Sequence, residues 1–190
     1  MIYEALSGVA DEMNEYFRNR LKINEDKVAL SAIVNQDGTV AIQGENKVLV
    51  TVVNVEKEIT GKSNASPITG GTIANKSLSM NINLYVLFSA YFSSSNYGEA
   101  LRFLAFVIAY FQYKNVFTPA NTPKLDKGID KLVFEMATIS PEQLNNIWAS
   151  LGAKYMPSVV YKMRMLTFDE SIIKEYRPIV ANVGGGSSIG

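Results

Sequence analysis

Along "SLSMNINLYVLFSAYF", residues 77–92, Leu78, Met80, Ile82, Leu84, Val86, Phe88 and Ala90 share one parity. Ser77, Ser79, Asn81, Asn83, Tyr85, Ser89 and Tyr91 share the other. Alternation with a period of two is the pattern of a β-strand with one buried face. As a single strand at ~3.3 Å per residue, the ribbon would run roughly 50 Å, against a usual strand of about five to six residues. The alternation fails at Leu87, where the second parity also turns apolar. The half from 84 to 92 is therefore expected to lie under helices.

A different period governs the start of the chain. Leu6, Val9, Met13, Phe17 and Leu21 recur at steps of three and four, with Glu4, Asp11, Glu12, Glu15 and Arg18 between them. That spacing predicts an amphipathic helix of about five turns. "KVALSAIV" (27–34), "NQDG" (35–38) and "TVAIQ" (39–43) read as a β-hairpin. "KVLVTVVNVEKEIT" (47–60) is apolar on both parities at its start and charged at its end, so its start is expected to be buried on both faces. Residues 61–76 form a Gly, Ser, Asn and Thr loop longer than most connections in a compact domain.

Beyond the ribbon, "SSSNYGEA" supplies cap residues for an apolar helix from about Tyr97 to Lys114. A loop (118–128) then leads to a half-buried strand, 131–139, on which Leu132, Phe134 and Met136 share a face. "SPEQLNNIWASLG" (140–152) carries a capping box, Ser140 with Gln143, has Pro141 in the first helical position, and ends at Gly152. A strand follows (158–168), with Val159, Tyr161, Met163 and Met165 on one face and Lys162 and Arg164 on the other. The order predicts an α+β fold: a mixed, largely antiparallel sheet with helices packed on it and a long β-ribbon. One domain over 1–177 and a flexible C-terminal tail, 178–190, complete the expected organisation.

Composition narrows the chemistry. Of 190 residues, 47% are hydrophobic and 19% charged, enough to bury a core in one domain. Eighteen Lys and Arg balance eighteen Asp and Glu without a basic run, which speaks against a nucleic-acid partner. With no Cys there is no disulfide, no thiolate nucleophile and no thiolate metal ligand, and with no His the commonest general base and metal ligand is missing. The most apolar run, Phe103 to Phe111, is too short for the ~20 residues of a membrane span, and the amphipathic N-terminal stretch lacks the basic region of a signal peptide. No membrane partner is expected.

Several local features resemble chemistry and fail on inspection. "GKS" at Gly61–Ser63 would need a glycine five residues before Gly61 to make a phosphate loop, and Glu56 stands there. "GGGSSIG" joins no strand to a helix. Glu56 with Glu58, and Asp169 with Glu170, are better read as a solvated strand end and a turn than as an acid and base. Trp148 shares a helical face with Leu144, Ile147 and Leu151, as a core or interface anchor would. Lys162 and Arg164 suit a solvated face or an inter-subunit salt bridge better than an anion site. Phe103, Phe106, Tyr110 and Phe111 read first as core, with a subunit contact as the alternative.

Three stretches together carry a resemblance: 46–60, 78–112 and 139–166. The first has a valine-rich strand closing on Asn54, Val55 and Glu56; the second has Leu84 and Tyr85 before Tyr91 and an apolar helix. The third has Ser140, Glu142 to Leu144, Ile147, Trp148, Leu151, Tyr155 and Ser158. The chain resembles the cap proteins of contractile injection systems, of the antifeeding-prophage and virulence-cassette kind, over most of residues 5–170.

The resemblance implies a fold similar to phage tail terminators and a structural role. Such proteins form a sixfold ring on the last layer of inner tube and sheath and fix particle length. It implies no catalytic residues, no cofactor and no metal; the partners it implies are further copies of the chain, the inner tube protein and the sheath protein. Assembly in the cytoplasm follows, in a particle that is released or anchored. The expected contact residues are Trp148, Tyr155, Lys162, Arg164, Tyr85, Tyr91, Phe106 and Tyr110, and residues 77–83 are expected at a hairpin or ring contact. The loop 61–76, which has no match in the family pattern, and the tail are assigned to the tube or sheath. Some family members carry a long further C-terminal domain, where this sequence ends at Gly190. The alternatives are a neck or strand-adding adaptor of a contractile tail and an enzyme working through carboxylates alone.

Overall fold

The structure, a computed structural model, describes residues 1–42, 44, 46–58 and 81–166. Its elements are α1 (Ile2–Leu21), β1 (Val28–Leu30), β2 (Lys47–Lys57), β3 (Ile82–Tyr91), α2 (Tyr97–Tyr113), β4 (Val116–Phe117), β5 (Lys131–Met136), α3 (Pro141–Leu151) and β6 (Ser158–Leu166). The strands form one six-stranded sheet in the order β1-β2-β3-β6-β5-β4. All pairs are antiparallel except β1 with β2, which is parallel. This is the mixed, largely antiparallel α+β sheet that the sequence predicts.

The ribbon becomes β3, which pairs with β2 on one side and with β6 on the other over nearly its whole length. Its even parity, Ile82, Leu84, Val86 and Phe88, enters the main core with Val48, Val50, Phe134, Tyr161, Met163 and Met165. α1 and α2 cover that face through Leu6, Val9, Met13 and Phe17, and through Phe103, Val107, Tyr110 and Phe111. Phe111 is the hub of an aromatic cluster, with ring centroids 5.2 Å from Phe88, 4.7 Å from Phe134 and 4.4 Å from Tyr161. Its odd parity enters a second, smaller core of Ile33, Leu49, Leu87, Trp148 and Val160. Leu87 is where the alternation fails because both faces are covered there.

Ile82 and Asn83 take the hairpin option of the expected hairpin or ring contact: each pairs with β2, and β6 pairs on their other side. Residues 77–80, the loop 61–76 and the tail 178–190 lie outside the described residues. The hairpin over 27–43 shrinks to one bridge, Val34 with Val40, around a turn with Gly38 at φ +81°. Val28–Leu30 instead lies along Val48–Val50, because pairing with a buried strand buries Val28, which a free hairpin would leave in water.

A buried asparagine locks that arrangement. Asn14 of α1 donates from Nδ2 to the Val28 carbonyl (2.9 Å), and its Oδ1 accepts from the amides of Lys27 (2.9 Å) and Val28 (2.8 Å). These bonds satisfy a polar group that would be costly to bury alone and tie the first helix to the first strand.

Candidate assembly surface

The sheet's second face divides along the strands. Its first part is largely apolar, with Leu87 opposite Val160 and Leu49, opposite Ser89, in the same cluster, and α3 lays Trp148 on it, 4% exposed. The helix starts where the sequence predicts. The Ser140 side chain accepts from the Gln143 amide (3.2 Å), Gln143 accepts in return from the Ser140 amide (2.9 Å), and Gly152 ends the helix at φ +65°. Tyr155, 63% exposed, stands edge-on to Trp148 with 5.8 Å between ring centroids. Tyr91 packs at the margin of the same core.

Past α3 the same face turns polar. Register places Tyr85 beside Lys162 and Lys162 beside Glu135; one step further along, Glu56 stands beside Asn83 and Asn83 beside Arg164. The Glu56 carboxylate collects three donors, Tyr85 Oη at 3.3 Å, Asn83 Nδ2 at 3.4 Å and Lys162 Nζ at 3.3 Å. Arg164 pairs with Glu135. Partial desolvation pulls the Lys162 pKa down, but the hydrogen bond to Glu56 and the surrounding negative charge outweigh it, so the ammonium is held above its usual range. Asn83 Oδ1 and Arg164 Nε are buried and have no hydrogen-bond partner among the described residues.

Two cations facing two carboxylates leave no net charge for an anion. Within the chain, Lys162 pairs with Glu56 and Arg164 with Glu135. Half-exposed pairs of this kind are worth ~0–1 kcal/mol each, so they contribute little to the fold. They shape a polar surface that adjoins the Trp148 cluster through Tyr85. Among the described residues no three His, Cys, Asp or Glu side chains gather as a metal site would require. No helix among them is long and apolar enough to cross a membrane.

Six of the eight residues singled out from sequence share this face: Tyr85, Lys162 and Arg164 in the polar part, and Trp148, Tyr155 and Tyr91 by α3. The other two lie on the opposite face. Phe106 is half-buried against Phe17 and Phe103. Tyr110, 1% exposed, belongs to the core, because the α1–α2 packing that places it also covers it. Sequence reasoning missed the roles of Asn83, Glu135 and Glu56. It took Glu56 for a solvated strand end, since only the strand register shows that Glu56 meets a tyrosine, an asparagine and a lysine.

Comparison with known proteins follows the same lines. Over 100% of its length the chain is similar to the sheath/tube terminator of PVC, an extracellular contractile injection system, in the extended state. The two share 14% identity with a TM-score of 0.58. The likeness is one of fold, and the chain spans 64% of that protein's length. The tube-terminating cap of the anti-feeding prophage aligns over 95% of the chain and 60% of its own, at 15% identity and a TM-score of 0.47. No curated protein matches the chain. The model of the Pvc16 N-terminal domain family matches residues 6–182, which bears out the resemblance read from the sequence, and the chain belongs to that family.

Proposed function

We propose that the chain is a structural cap subunit of a phage-tail-like contractile injection system. In this reading six copies close into a ring that seats on the last layer of inner tube and sheath, stops their polymerisation and fixes particle length. The observation that carries it is the family match over residues 6–182. The second face supports it: a polar surface that is already paired within the subunit can meet another protein without first exposing a large apolar area. Closure of a head-to-tail interface into a ring is the general way to a finite assembly from one chain. The ring forms inside the cell, in a particle that is later released or anchored.

Native mass spectrometry of the chain co-expressed with its neighbouring tube and sheath proteins tests the stoichiometry. Six copies bound to tube protein is the expected result. A monomer that binds neither partner would overturn it.

A second reading, a strand-adding adaptor, draws on one observation. Beyond Val50 no strand among the described residues pairs with the outer edge of β2, where Val55 is 52% exposed. An adaptor need not close, so the same mass measurement separates the two.

A further inference from the structure

On the opposite side of the molecule, α1, the last turn of α2 and residues 122–124 line a half-open cavity of about 360 Å³. That is within the ~300–1,000 Å³ range of small-ligand sites. One wall is aromatic. The Tyr16 and Tyr113 rings lie 6.3 Å apart and within 21° of parallel, and Tyr110 is 5.1 Å from Tyr16.

The polar groups of the cavity are unevenly satisfied. Lys114 is fully engaged, since its ammonium donates to Glu12, to the Asn121 carbonyl (2.7 Å) and to Thr122 Oγ1 (3.1 Å). The second Glu12 oxygen, Oε2, and the Tyr110 hydroxyl are both buried and have no hydrogen-bond partner among the described residues. Burial, with the Glu12 carboxylate and Tyr16 nearby, raises the Tyr110 pKa and keeps the phenol neutral. Glu15 adds a second carboxylate at the rim. The C-terminal end of α2 contributes the negative pole of its dipole.

Among the described residues, the lining therefore sets the Glu12 and Glu15 carboxylates against one unengaged ammonium, that of Lys124. An anion would find only that one ammonium unengaged, and an apolar guest would leave the Glu12 oxygen unsatisfied. A flat cation with several N–H donors meets both needs, and stacks on tyrosine as a compact ammonium does less well.

We propose that this cavity is a binding site for a guanidinium group, which donates to Glu12 Oε2 and Tyr110 Oη and lies against the Tyr16 and Tyr113 rings. The group is carried by an arginine, either in a partner protein or as the free amino acid. The site is separate from the second face of the sheet and does not rest on the cap reading.

The test is an NMR titration of the full chain with N-acetyl-arginine methylamide, free L-arginine and N-acetyl-lysine methylamide. Saturable shifts at Tyr113 and Thr122 are expected with the arginine compounds, with the lysine compound several-fold weaker. Tighter binding of the blocked arginine indicates a protein side chain, and tighter binding of the free amino acid a small-molecule ligand; either supports the site.

Tyr110→Phe removes only the hydroxyl and should weaken binding by about tenfold, the worth of one hydrogen bond to a charged group, with no loss of thermal stability. Tyr113→Ala, at a side chain 79% exposed, should weaken it about threefold through the lost ring face. Three outcomes overturn the assignment: no saturable shift, equal binding of the lysine compound, or unchanged binding in Tyr110→Phe.

Discussion

On one face of the sheet, α1 and α2 bury Val48, Val50, Leu84, Val86, Phe88, Tyr161 and Met163 into a core whose aromatic centre is Phe111. On the other, α3 covers Leu49, Leu87 and Val160 with one tryptophan and leaves Tyr85, Lys162, Arg164 and Glu135 beside it. The first face is spent on the fold, and little of it can change without loss of stability. The second is spent partly on the fold and partly on a surface whose charges are balanced within the chain. Changes to that surface should therefore affect assembly while leaving folding nearly untouched, a separation that substitutions on the two faces can test.

The largest effect is expected at the centre of the first face. Phe111→Ala should cost ~3–5 kcal/mol of unfolding free energy by denaturant titration, the range for deleting a large buried ring. A loss below about 1.5 kcal/mol would mean that the aromatic cluster is not the structural centre.

Trp148→Ala, on the second face, should cost about 3 kcal/mol, and the loss should be local. Hydrogen exchange should accelerate in α3 while α1 and α2 keep their protection. Equal acceleration in all three helices would merge the two cores into one.

Alkaline pH offers a test centred on the first face, with Lys162 on the second face adding to the same trend. Burial pushes the Tyr161 phenol from 10.0 up to about 12, and Tyr110 is raised as well. Above pH ~10 the unfolded chain loses these protons and the folded chain keeps them, so stability falls as pH rises, by about 1.4 kcal/mol per pH unit for each tyrosine. The contribution is fully present below pH ~10, and for Tyr161 it is gone above about 12. Tyr161→Phe should take about 1.4 kcal/mol per pH unit off the slope between these limits.

The smallest effect on folding is expected at Lys162→Gln, within about 0.5 kcal/mol, since the ion pair to Glu56 is partly exposed. The same change should reduce capture of the tube or sheath protein in a pull-down. Wild-type capture, or a large loss of stability, would end the separation between the faces.

Periodicity made much of this architecture legible. The three-and-four spacing from Leu6 to Leu21 matches α1, and the Ser140, Gln143 and Gly152 signals match both ends of α3. These are local signals, set by backbone hydrogen bonds within a few residues. Leu87 showed that β3 would be covered on both faces, because a buried strand has no reason to alternate.

Register and partner choice were not legible. Nothing in "KVALSAIV" says that Val28 pairs with Val48 across an intervening turn, or that Asn14 holds it there. The two-residue β4 is too short for any period. Glu56 and Glu135 acquire their roles only when three antiparallel pairings align them with Tyr85, Lys162 and Arg164. A contact residue is likewise hidden while its face is unknown, so Tyr110, on an aromatic helix, read as surface and core alike.

The length distribution of particles assembled without this protein tests the cap assignment most directly. Electron microscopy of particles from cells lacking the chain should show tubes and sheaths of scattered lengths, many longer than those of the wild type. Particles of unchanged, uniform length would contradict it.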